Sequence, residues 1–153
     1  MKSSRTAVWA ALAGAGLALS LSSTAVSAGS PVEERQATMK QVGQTMKEAT
    51  AFTGAAMPYD AAKVKGLMDG LAANAKKLKA LYPAESAADP KTAADPKVFA
   101  NKADFDKRLA EMGTLASAAA KSKDTDSFKA AFKPVGDTCK SCHDIYRMKK
   151  KPA

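Results

Sequence analysis

Near its C-terminus the chain reads Cys139-Lys140-Ser141-Cys142-His143, and this run constrains the fold more than any other stretch. On an α-helix Cys139, Cys142 and His143 stand at i, i+3 and i+4, so two thiols and an imidazole project from one face within one turn. C-x-x-C-H is the spacing at which a c-type haem is attached. Two thiols add across the vinyl groups on one porphyrin edge, and the adjacent imidazole coordinates the iron. Other uses of C-x-x-C fit less well. A thioredoxin-like centre expects a βαβ setting, and the chain carries no strand pattern. A structural zinc site wants four protein ligands, whereas the chain holds two cysteines and one histidine. A disulfide between cysteines sharing a regular helix is sterically awkward. The expected cofactor is therefore one covalent haem c, with Cys139 and Cys142 as anchors and His143 on the iron.

The N-terminus points to export. Lys2 and Arg5 precede an uncharged apolar run from Ala7 to Leu21, and Val26-Ser27-Ala28 ends in the small residues that signal peptidase cuts. The run is shorter than the ~20 residues of a membrane span, so residues 1–28 read as a signal peptide with no stable membrane insertion after cleavage. Residues 29–153 then form one domain. Gram-negative bacteria attach c-type haem outside the cytoplasmic membrane, so leader and motif independently point to the periplasm. The net charge of +9 falls when Lys2 and Arg5 are removed but stays basic. An exported protein with scattered lysines does not suggest nucleic acid; it suggests a solvated surface with a preference for acidic partners.

Between these ends the apolar residues recur at helical spacing. Ser30-Pro31-Val32-Glu33 has the form of a capping box with proline at N1. It leads into Val32, Arg35, Met39, Val42, Met46 and Ala49. Asp60 can cap a second helix carrying Val64, Leu67, Met68, Leu71, Ala75, Leu78 and Leu81, which Pro83 stops. A short duplication follows, Ala87-Ala88-Asp89-Pro90-Lys91 and Ala93-Ala94-Asp95-Pro96-Lys97. Its prolines make it a loop. Asp95-Pro96 reads as the start of a third helix with Phe99, Phe105, Leu109, Met112, Ala116 and Ala119 inside. Residues 124–127 offer caps for a fourth, whose inner face carries Phe128, Phe132, Val135, Cys139, Cys142 and Tyr146. Pro134 should bend that helix just before the haem turn. The expected fold is all-α, an antiparallel four-helix bundle with covalently attached haem.

Taken together, the chain resembles the class II c-type cytochromes, the cytochrome c′ and cytochrome c-556 family, over essentially all of residues 31–151. The resemblance rests on Arg35-Gln36-x-x-Met39, on Pro58-Tyr59-Asp60-Ala61-Ala62, and on Val135-Gly136-x-x-Cys139-x-x-Cys142-His143. It implies the same bundle, with Arg35 near a haem propionate, Gln36 at the haem edge and Arg147 beside the proximal face. A guanidinium suits a carboxylate well. Met39 matches the residue that faces the distal side of the iron. Methionine there is the sixth ligand in cytochromes of the c-556 type, although some five-coordinate members also carry it.

These readings imply a periplasmic carrier of single electrons with His143/Met39 ligation, exchanging with other periplasmic redox proteins. The alternative is a five-coordinate cytochrome c′ that binds nitric oxide or carbon monoxide. With one histidine, bis-histidine ligation is excluded. No distal histidine or acid–base pair suggests an enzyme. Relatives of these kinds occur as monomers or homodimers.

Overall fold

A computed structural model describes residues 29–54 and 57–149. The expected signal peptide lies outside the described residues, as do Lys150 and Lys151. Five α-helices are found among the described residues: α1 (Pro31–Thr50), α2 (Ala61–Lys79), the short α3 (Lys97–Ala100), α4 (Lys102–Ala119) and α5 (Thr125–Tyr146). None of these is long and apolar enough to cross a membrane. The four long helices form the all-α bundle that periodicity predicts.

Local chemistry starts three of the four long helices much as the sequence suggests. Ser30 Oγ accepts from Glu33 N at 3.2 Å, with Pro31 in the first helical turn. The Glu33 carboxylate also takes the Lys91 ammonium at 2.9 Å. Asp60 Oδ1 accepts from Lys63 N at 2.9 Å. Asp124 and Ser127 close a reciprocal capping box on α5. Helix α5 runs unbroken through Pro134.

The third helix departs from expectation. Asp95 Oδ1 does accept from Lys97 N at 2.9 Å, but the helix it opens lasts only from Lys97 to Ala100. Asn101 then leaves helical geometry at φ −125° and ψ 51°, and α4 starts at Lys102. The break has a packing reason. It lets α3 touch both α4 and α5 while Val98 is driven fully into the core.

Packing is uneven around the bundle. Helix α2 lies along α4, α4 along α5, and α1 along α2, whereas α1 and α5 scarcely meet. Along the closed seams Val64, Met68, Leu71 and Leu78 of α2 are wholly buried, and Phe105, Leu109, Met112 and Ala116 of α4 are nearly so. Each such aliphatic side chain contributes on the order of 1.5–3 kcal/mol by leaving water. A short 3₁₀ turn, Ala51–Thr53, bridges α1 to α5 at one end of the open seam and buries Phe52.

Neighbouring substitutions on α2 should therefore have opposite signs. Leu71→Ala removes a fully buried side chain and should cost about 2–5 kcal/mol. Gly70 is exposed on the same helix with open space where a Cβ would stand, so Gly70→Ala should gain about 0.5–1 kcal/mol. Denaturant unfolding of the two variants, followed by circular dichroism, checks both.

Candidate functional site

The open seam between α1 and α5 holds a cavity of about 630 Å³, within the ~300–1,000 Å³ typical of cofactor-sized pockets. Cys139, Cys142 and His143 line it from α5, and Arg35, Gln36, Met39 and Met46 line it from α1. Every residue predicted from sequence to belong to the site is thus brought to one cavity. Gly43 and Gly136 face each other's helices across it, and a Cβ at either would meet nothing within 4 Å. Larger side chains there would grow into the space.

Both cysteines are free, half-buried and packed against the core. Burial raises both thiol pKa values, with Arg108 partly opposing the rise at Cys142. That is the reverse of the depressed pKa a redox-exchange thiol needs. No group of three or more His, Cys, Asp or Glu side chains among the described residues gathers to hold a metal ion, so a zinc reading of the motif lacks its remaining ligands. His143 sits at the cavity rim. Partial burial of its ring, then the neighbouring Arg147 guanidinium, hold its pKa below the usual imidazole value. A neutral imidazole is the form that can bind a metal. The cavity, its two thiols on one helical face, the imidazole beside them and the facing thioether fit a covalently attached haem.

Arg35 does more than the sequence suggests. It is only 3% exposed, and no carboxylate pairs with it among the described residues. Its Nη1 donates to Leu81 O at 3.1 Å and Ser86 Oγ at 2.7 Å, and its Nη2 to Thr92 Oγ1 at 2.5 Å. The guanidinium also lies 4.7 Å from the centroid of the Tyr82 ring. Burial lowers its pKa, and the nearby Tyr82 and Asp89 partly offset that. Gln36, more exposed, donates from Nε2 to Lys91 O at 2.7 Å. Both α1 residues thereby shape the connection between α2 and α3.

That connection, which the sequence marks only as a loop, forms part of the cavity wall through Ala93 and Ala94. It also ties down the end of α5. Asp95 N donates to Tyr146 O at 2.8 Å, Met148 N to Ala93 O at 3.0 Å, and Ala94 pairs with Arg147 in an isolated bridge. The first of these bonds satisfies a carbonyl that a helix C-terminus leaves open. Arg147 caps α5 and lines the cavity.

The end wall is aromatic, and sequence reasoning overlooked it as a unit. Tyr82, Phe105 and Tyr146 meet edge to face, with centroids 4.6 Å and 5.3 Å apart. Tyr146 Oη donates to Asp104 Oδ2 at 2.6 Å, and Arg108 Nε donates to the same oxygen at 2.6 Å. The available signal was the i,i+4 spacing of Asp104 and Arg108 beside Phe105 on one helix.

Comparison with known proteins agrees with this geometry. The profile of the family described as Cytochrome C′ matches residues 30–147. A cytochrome c′ from Rhodopseudomonas palustris is 39% identical over 89% of this chain and 94% of its own length. A cytochrome c-556 from Agrobacterium fabrum is 36% identical over 82% of this chain and 86% of its own. The solved structure of a Rhodopseudomonas palustris cytochrome c′ superposes with a TM-score of 0.75 at 38% identity, covering 81% of this chain and all of that one.

Two predictions follow the polar contacts. Arg35→Met keeps bulk but strands the oxygens of Leu81 and Ser86, so it should cost about 1–3 kcal/mol and increase hydrogen exchange across residues 81–95. At Asp104, the hydrogen bond from Arg108, followed by that from Tyr146, lowers the carboxylate pKa below its usual 3.8. A lowered folded-state pKa gives stability that is present above the unfolded value and lost as pH falls through the folded one. Melting temperature should therefore drop more steeply below about pH 4 in the parent protein than in Asp104→Asn; parallel slopes would contradict it.

Proposed function

Because the chain belongs to the cytochrome c′ family, we propose that it is a periplasmic c-type cytochrome that carries single electrons with His143 and Met39 on the haem iron. Its cofactor is a covalently attached haem c, which when bound supplies a one-electron iron couple. In this reading residues 1–28 are the export signal and residues 29–153 the haem-binding bundle. Cys139 and Cys142 form the two thioether links, and His143 is the proximal ligand.

The observation that carries the reading is that Met39 on α1 and His143 on α5 line one cavity from opposite sides of the open seam. Met39 is half-buried against the core, so its thioether is held there rather than free to swing into solvent. A thioether ligand favours the ferrous state and closes the sixth position, leaving electron transfer as the available chemistry. Arg35 supplies a buried positive charge without a carboxylate partner among the described residues, the natural seat for an ionised propionate. Gln36 and Lys40 extend the polar edge of the same mouth. Basic side chains near this mouth would favour acidic redox partners.

One observation favours a second reading. The cytochrome c′ relative matches this chain at slightly higher identity and coverage than the c-556 relative. In that reading Met39 packs over the iron without bonding, and the protein binds nitric oxide or carbon monoxide. The ferric spectrum separates the two. With Met39 bound, the ferric protein is low-spin, shows the near-infrared methionine-to-iron band, and loses that band in Met39→Ala. The reduced protein then takes up carbon monoxide slowly. A high-spin spectrum unchanged by Met39→Ala, with rapid uptake, establishes the second reading instead.

Haem should also be structural. Cys139→Ala/Cys142→Ala protein made without attached haem leaves open a cavity hundreds of cubic ångströms in volume, far above the methyl-sized void that costs ~1 kcal/mol. It should be helical yet loosely packed, bind a hydrophobic dye, and melt over a broad range. A sharp melt near that of the haem-loaded protein, without dye binding, would overturn this.

A further inference from the structure

The aromatic wall contains a hydrogen-bonded acid–base pair that neither haem attachment nor iron ligation uses. We propose that Tyr146 is a redox-active side chain, giving one electron to an oxidant reduced at the haem while passing its phenolic proton to Asp104. The inference rests on the haem-binding reading above and needs a sixth position that peroxide can reach, either open or vacated by Met39.

Position is the first support. Tyr146 lies three residues beyond His143, lines the same cavity, and is 4% exposed. The ring therefore lines the space a haem would occupy, on the helix that carries His143, while solvent is kept from it. Proton chemistry is the second. A phenol loses its electron readily only if its proton can leave at the same moment, because the oxidised phenol is a very strong acid. Asp104 Oδ2 is already bonded to Tyr146 Oη at 2.6 Å. That carboxylate is about one-third exposed, so a proton received there can pass on to water.

Charge separates Tyr146 from the other tyrosines. Tyr82 also lines the cavity, but the guanidinium of Arg35 sits 4.7 Å from its ring centroid and has no carboxylate to neutralise it. Removing an electron from that ring would place two positive charges face to face. The Arg108 cation near Tyr146, at 5.9 Å, is paired with Asp104 at 2.6 Å. Tyr59 lies elsewhere and donates to Ser122 O. Phe105 contacts both Tyr82 and Tyr146 but has no proton to release.

The co-reactant is a peroxide. Ferrous haem, the Tyr146 phenol, one hydrogen peroxide and one proton give ferric haem, the Tyr146 phenoxyl radical and two waters. The peroxide O–O bond and the phenol O–H bond break, iron and phenol each lose one electron, and both electrons end on the peroxide oxygens. Asp104 returns the phenolic proton to solvent. Such a step directs half of the oxidising power onto one ring and away from the sulfur atoms of Met39, Cys139 and Cys142.

The test uses the mature haem-loaded protein, reduced, mixed with hydrogen peroxide and frozen within milliseconds for electron paramagnetic resonance. The expected result is an organic radical whose hyperfine pattern collapses when ring-deuterated tyrosine is incorporated. The signal persists in Tyr82→Phe and Tyr59→Phe and is lost in Tyr146→Phe, whose haem absorbance and circular dichroism match the parent. Asp104→Asn, which keeps the phenol, should lower the radical yield. It covers the case in which Tyr146→Phe does not fold. A signal insensitive to deuteration, one surviving in Tyr146→Phe, a yield unaltered in Asp104→Asn, or no radical in fully haem-loaded protein would overturn the inference. Failure of haem to attach would instead overturn the reading of the cavity itself, and the absorbance spectrum reports that separately.

Discussion

Helices α1 and α5 are held apart by a space that the polypeptide does not fill. Three of the four long-helix seams close on aliphatic and aromatic side chains, such as Met68, Leu71, Leu78 and Leu109. The fourth is faced by Gly43, Gly136, Ala93 and Ala94, with half-buried sulfur side chains between them. Interiors pack to the density of organic crystals, so a native seam this open implies that something else completes it. Both glycines line the space, a Cβ at either would meet no atom within 4 Å, and they cost helix stability there. Residues that weaken a helix while preserving a cavity are better explained by a resident group than by folding alone.

The same space accounts for the least expected contact in the protein. A buried guanidinium without a carboxylate is expensive unless its donors are met. Arg35 meets them with neutral oxygens from Leu81, Ser86 and Thr92 and with the face of Tyr82. Hydrogen bonding is thereby satisfied, but the positive charge is not. An anionic group in the cavity would neutralise it where the local dielectric is low and the attraction strong. The bonds to Ser86 and Thr92 also fix the segment whose residues 93–95 hold the end of α5. Arg35 therefore couples the cavity's electrostatics to the position of the helix that carries the cysteines, through a loop rather than through direct helix contact.

Much of this was legible in the residues. Three-residue and four-residue spacing located all four long helices, because one-sided burial is what a bundle demands of each strand of sequence. Caps at Ser30, Asp60 and Asp124 were legible because side-chain oxygens satisfy backbone donors locally. The Cys139–His143 run specified its own helical face. What could not be read was whatever depends on distant packing. The break at Asn101 arises because Val98 must reach the core, and no local signal competes with Asp95-Pro96 as a helix start. The loop's grip on α5, and the bond from Tyr146 to Asp104 42 residues away in sequence, depend on which helices become neighbours. Periodicity gives the face of a helix but not its partner.

Attachment through α5 has a further consequence for how the site can vary. As proposed, two thioether bonds and a histidine from one helical turn would hold the cofactor whether or not α1 contributes a ligand. The sixth position would thereby be released from any duty to retain haem, so that Met39 could bond to iron or merely pack above it without loss of the cofactor. Noncovalent haem proteins lack this freedom, since each axial bond also contributes to retention. Relatives bearing both the c′ and the c-556 names at similar identity are what this separation of duties would produce. On that view the cavity, the buried cation and the anchoring turn can serve either iron chemistry, and what α1 offers at the sixth position decides between them.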